Sequence, residues 1–258
     1  MNRKTKKSPR RVLPGFFLLI VAVILTVLLF QRNSGKDQQS PRNEAGQKTL
    51  LVSTNGQLAT LAITNQARSE EPEDRVVALI TAGNELLSQG NPAEAANKFA
   101  EALAISPEQE DLHYNLAIAL AKLGKPEDAK KHYEEALRIF PDYGDAHNNL
   151  GNLLMAQNKM TEAIDQFREA IRCLPEEASF HNNLGTAFGR SGKVPEAIVE
   201  FEEAIKRNPV YVEARVNLAN AFLSTGRKDE AITQLTEALR LKPNFAPALQ
   251  TMQRIGKR

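Results

Sequence analysis

The chain has 258 residues, 42% of them hydrophobic, and one cysteine, which suits one long domain with appendages and rules out an internal disulfide. Its net charge of +2 is unevenly spread: residues 1–48 carry ten Lys and Arg against Asp37 and Glu44, a balance of +8, which leaves −6 for residues 49–258. An acidic body is poorly suited to neutralising phosphates and argues against nucleic acid as a partner.

The amino terminus, residues 1–11, is basic through Arg3, Lys4, Lys6, Lys7, Arg10 and Arg11. No charged residue occurs from Val12 to Phe30, and that length at about 1.5 Å per residue just crosses about 30 Å of hydrocarbon. The segment 12–30 therefore predicts a single transmembrane helix with its basic flank cytoplasmic and the rest of the chain on the outer side. A cleaved signal peptide is the competing reading, since Pro14 and Gly15 shorten the apolar run, but no small-x-small cleavage pattern follows. The chain has no Asn-x-Ser/Thr acceptor, which favours a bacterial inner membrane with periplasmic repeats over a eukaryotic secretory location.

Residues 31–75, rich in Gln, Ser, Asn and charge, read as a flexible linker with a reach on the order of 40 Å. Within it, Leu50 to Thr54 and Leu58 to Ala62 flank Asn55 and Gly56, a hairpin signal. Isolated hairpins are marginal, so a partly ordered connector is expected. Pro72, set among Glu71, Glu73 and Asp74, suits the start of a helix.

From Val76 onward the sequence repeats. Pro107, Pro141, Pro175, Pro209 and Pro243 stand 34 residues apart, and small residues recur at Ala95, Ala129, Ala163, Ala197 and Ala231. Four residues later come Phe99, Tyr133, Phe167, Phe201 and Leu235, then Ala102, Ala136, Ala170, Ala204 and Ala238. Upstream, Leu116, Leu150, Leu184 and Leu218 precede Ala117, Gly151, Gly185 and Ala219. Offsets of three and four place these residues on one helix face, with small slots where helices cross closely. Gly90, Gly124, Gly192 and Gly226, with Asn158 in the third unit, fall where a left-handed residue would close the first helix. Helices of about 12 residues are marginal alone, so stability must come from stacking.

This pattern resembles the tetratricopeptide repeat, and the resemblance implies an all-α, right-handed superhelical solenoid of five helix-turn-helix units. The units are 76–109, 110–143, 144–177, 178–211 and 212–245, and 246–258 reads as a capping helix with a basic tail. In the cap, Leu249, Met252 and Ile255 keep one apolar face, while Gln253 occupies a small-residue slot.

Asn115, Asn149, Asn183 and Asn217 also recur every 34 residues. Stacked units would line their carboxamides into a ladder able to pair with the backbone of an extended peptide, or else to satisfy polar groups between helices. The HNNLG runs at His147–Gly151 and His181–Gly185 are similar to repeats of O-linked N-acetylglucosamine transferase, where such a ladder holds polypeptides. That resemblance implies that Asn84, Asn148, Asn152, Asn182 and Asn220 also face a concave groove. Another use of the repeat, a basic clamp on a terminal carboxylate, is not matched, because its slots hold Ile80, Asp111, Tyr114 and Asp145. Lys122 and Arg190, near the groove end of their helices, read as solvated surface.

His113, His147 and His181 form a third series, for which packing is expected in preference to a metal row, because sites about 8–10 Å apart share ligands poorly. His132 is expected at the surface and Cys173 as a small buried residue. The sequence offers no catalytic motif and implies no cofactor. The expected role is a membrane-anchored, non-catalytic scaffold that binds a protein or peptide partner, with basic character suggested by the acidic repeats. A non-catalytic targeting subunit of an enzyme and a self-associating, homo-oligomeric structural protein are the alternatives.

Overall fold

The computed structural model describes residues 49–54, 57–62 and 72–256. The basic amino terminus and the span expected over 12–30 lie outside them. Among the described residues, no helix is long and apolar enough to cross a membrane.

The segment expected as a partly ordered connector contains the hairpin that its Asn-Gly pair signalled. Strands β1 (Thr49–Thr54) and β2 (Gln57–Ala62) pair antiparallel, with Thr49 opposite Ala62 and Thr54 opposite Gln57. The ladder draws on the β-branched Thr49, Val52, Thr54 and Thr60, and its two-residue connection is the Asn-Gly pair that tight hairpins favour. The hairpin and the helices fall in separate units.

The second unit is a run of helices: α1 (Pro72–Ser88), α2 (Pro92–Ile105), α3 (Glu110–Lys122), α4 (Pro126–Ile139), α5 (Gly144–Ala156), α6 (Met160–Cys173), α7 (Ala178–Arg190), α8 (Val194–Arg207), α9 (Val212–Ser224), α10 (Lys228–Leu241) and α11 (Ala246–Gly256). Each 34-residue period supplies one odd and one even helix. Pro72, Pro92 and Pro126 open their helices, where a missing N–H costs nothing. Helices α1, α3, α5, α7 and α9 end through a left-handed residue, and the third unit does this with Asn158 at φ 62°. The next amide then reaches back to close the turn, as from Lys159 to the Leu154 carbonyl at 2.9 Å.

Consecutive helices pack throughout the array, and odd helices also pack on the next odd helix, as α5 does on α7 and α7 on α9. No two even helices pack comparably among the described residues, so the stack bends with its odd helices on the inner side. The small slots set the spacing. Ala95, Ala129, Ala163, Ala197 and Ala231 are fully buried, and a Cβ added at Gly151 would lie 2.7 Å from the Phe167 ring.

The cap departs from its expected face. Ala248, Thr251 and Ile255 are buried, whereas Leu249 is 39% exposed. α11 keeps the register of the earlier odd helices, in which Ala146 and Ala214 hold the position of Ala248 and are equally buried. That register turns Leu249 outward.

Candidate functional site

The recurring asparagines lie on α3, α5, α7 and α9, the inner face. Asn149, Asn183 and Asn217 are half-buried and each donates to the preceding odd helix. Asn183 Nδ2 reaches Asn148 Oδ1 at 2.8 Å, Asn217 Nδ2 reaches Asn182 Oδ1 at 2.9 Å, and Asn149 Nδ2 reaches Tyr114 Oη at 2.9 Å. The acceptors occupy one slot, and Asn148 and Asn182 are buried there. Each tie is worth about 1 kcal/mol. With the donor side committed, Asn183 and Asn217 keep their carbonyl oxygens for other contacts.

Asn115 makes no such tie because Ile80 stands in the acceptor slot of the first unit. Asn152 is half-buried, and Asn84 and Asn220 are exposed. Asn220 Oδ1 accepts from Arg254 at 3.0 Å, which leaves its amide N–H groups free. The structure thus places all the ladder residues and their neighbours on the odd helices, divided between buried ties and open carboxamides.

Two cavities open on this face. One of about 380 Å³ lies between α3 and α5, with Lys122, Asn149 and Asn152 at its walls and Tyr133 beneath. The other, of about 300 Å³, lies between α7 and α9, with Arg190, Asn217 and Asn220 above Phe201. The two sets differ by two full repeats at every position. At the interface between them, Met155 replaces Ala121 and Gly189, and Ala156 replaces the cation. Neither Lys122 nor Arg190 joins an ion pair among the described residues. Sequence reading set these cations aside one by one. The signal that could have found them is a basic residue preceded by a small one, recurring at twice the repeat length.

A third cavity, about 720 Å³, lies against the cap and is lined by Asn220, Lys228 and Arg254. The opposite edge of the face is aromatic and acidic. Tyr143 Oη donates to Asp111 Oδ1 at 2.7 Å, and the Tyr114 and Tyr143 rings lie 4.9 Å apart. Burial, reinforced by Asp145, pushes the Tyr114 phenol up to about 12, so it stays protonated and keeps a donor beside the Asn149 tie.

The histidines brace the units. One ring nitrogen of His113, His147 and His181 contacts the carbonyl of Pro107, Pro141 and Pro175, at 3.0, 3.0 and 3.3 Å. The other meets the residue 19 positions on, His132, Gln166 or Glu200, at 3.0, 2.7 and 2.8 Å. In the fifth unit Arg215 takes both roles, toward Pro209 and Gln234. An arginine replaces histidine in this network without altering its partners, which is a structural task. Cys173 is half-buried, and burial pushes its thiol up, away from the reactive thiolate.

His132 is half-buried instead of lying free at the surface. Burial lowers its pKa from the ordinary 6.5, and the neighbouring His113 lowers it further. The unfolded chain therefore binds its proton more tightly, so this contribution to stability is complete above about pH 6.5 and is lost as pH falls through the lowered folded value. Thermal unfolding at pH 7.5 and 5.5 should show a drop that shrinks in His132→Gln, which carries the residue found at Gln166. An undiminished drop in that variant would contradict this role.

Models of the tetratricopeptide repeat match residues 86–133, 114–178 and 182–244, together more than half of the chain. Comparison with the curated proteins found no match. Among solved structures, PilF of Pseudomonas aeruginosa superposes with a TM-score of 0.66 at 24% identity, over 72% of this chain and 85% of that one. YrrB, described as a tetratricopeptide-repeat protein with an unusual peptide-binding site, gives 0.59 at 21% identity over 73% and 97%. MamA from residue 41 onward, of Desulfovibrio magneticus RS-1, gives 0.61 at 19% identity over 67% and 98%. These likenesses establish the fold.

Proposed function

This chain belongs to the tetratricopeptide-repeat family, and from that premise we propose that it is a membrane-tethered scaffold whose inner face captures a peptide segment of a partner protein. The observation that carries the reading is the wall of open carboxamides on the odd helices, held at fixed spacing by the Asn148–Asn183 and Asn182–Asn217 ties. A bound strand needs donors and acceptors at regular intervals, and preorganised amides provide them with little further ordering. In this reading the stack winds as a right-handed superhelix. The apolar segment 12–30 anchors it with the amino terminus cytoplasmic and the repeats on the outer side, in envelope assembly or the biogenesis of a protein complex.

Photo-crosslinking side chains at Asn152 and Asn220, compared with Glu134 and Glu202 on even helices, test the reading in intact membranes. Adducts of discrete mass from the first pair alone are expected. Adducts equally from both pairs, or from the even helices alone, would contradict it. In sealed vesicles that keep the cytoplasmic side inward, added protease should reach the repeats, and full protection would overturn the proposed topology.

A further inference from the structure

We propose that the two equivalent cavities hold two acidic side chains of one extended peptide, about five or six residues apart. This rests on the reading of the inner face as a peptide groove and specifies what that groove selects. In each cavity the one charged lining residue is a cation, Lys122 in the first and Arg190 in the second. Beside each stands an asparagine with amide N–H groups to spare: Asn152 makes no side-chain hydrogen bond among the described residues, and the Arg254 contact occupies only the oxygen of Asn220. A cation and an amide donor together match a carboxylate.

The other groups suit the rest of such a ligand. Asn217 lines the second cavity and, with its N–H donating to Asn182, keeps its oxygen as an acceptor for a peptide N–H. Tyr133 and Phe201 form apolar floors that accommodate the methylenes of glutamate better than the shorter aspartate. The intervening interface lacks the cation, because Ala156 stands in its place, and carries Met155 where the two cavities have Ala121 and Gly189.

The spacing follows from the stack. Asn149 on Tyr114, Asn183 on Asn148 and Asn217 on Asn182 show that successive odd helices touch directly. Two such steps cover about 16–20 Å, and a strand rises about 3.3 Å per residue, giving about five or six residues. The balance of −6 over residues 49–258 pointed to a basic partner. Most acidic side chains of the array, however, sit on even helices, among them Glu134, Glu135, Glu169, Glu202 and Glu203. They do not line these cavities.

The test uses the full chain in neutral detergent micelles and three fluorescein-labelled peptides. They differ only at two positions six residues apart, which carry Glu and Glu, Gln and Gln, or Lys and Lys. At low salt the Glu peptide should bind about tenfold tighter than the Gln peptide by fluorescence anisotropy, and the preference should fade as salt rises. Lys122→Glu combined with Arg190→Glu should invert the order in favour of the Lys peptide, a reversal that a merely structural role would not produce. Equal affinity for the three peptides, binding of none, or an order unchanged in the double variant would overturn the proposal. If such a failure accompanies crosslinking from Asn152 and Asn220, the groove reading stands and the acidic ligand falls. If the crosslinking also fails, both fall.

Discussion

Replacing Ala163 with Glu should unfold the third unit of the array. Ala163 is fully buried in α6, one turn before Phe167, whose ring closes on Gly151 so tightly that even a Cβ would not fit. A carboxylate at this crossing has neither room nor a partner, and its desolvation costs several kcal/mol. That is a large share of a stability of about 5–15 kcal/mol. Because each unit gains its stability from its neighbours, the loss should spread to the facing surfaces of α5 and α7 while fading toward α1. Hydrogen exchange on Ala163→Glu should show lost protection from Gly144 to Arg190. Protection in the third unit equal to that of the unsubstituted chain would contradict the packing described.

Asn183→Ala should lower stability by about 1–3 kcal/mol, because it leaves the buried oxygen of Asn148 without its donor. Asn115→Ala is the control: the same slot, but facing Ile80, with no tie to lose, so its effect should stay within about 0.5 kcal/mol. For an array of this length each kcal/mol moves the melting temperature by about 2–4 °C, which thermal unfolding of both variants would resolve. Equal melting temperatures would show that the tie contributes nothing. The contrast also separates stability from binding, since both substitutions remove a carboxamide from the inner face and only one removes a tie.

The period of 34, the small crossing slots and the left-handed Asn158 were legible in the chain because each reflects a local steric rule that repeats with the unit. The direction of the asparagine hydrogen bonds was not. A side chain recurring at one slot can face its neighbour or a ligand with the same periodicity, and only the approach of residues 35 apart, as in Asn183 and Asn148, separates the two. His132 was misplaced for a similar reason, since nothing local to it announces the ring of His113 across the helix pair. Leu249 lies outward because the register of α11 is set by Ala248 against the preceding unit, not by the most apolar stripe of its own sequence. The hairpin at 49–62 was visible as an Asn-Gly signal, but pairing there depends on its surroundings more than on the turn.

The inner face as the docking surface is tested most directly by alkylation of single cysteines in a Cys173→Ser background, placed at Asn152 and Asn220 on odd helices and at Glu134 and Glu202 on even ones. With the crosslinked partner supplied in excess, modification at the first two positions should slow at least about tenfold while the other two react unchanged. Equal protection at all four, or protection confined to Glu134 and Glu202, would contradict capture by the odd helices.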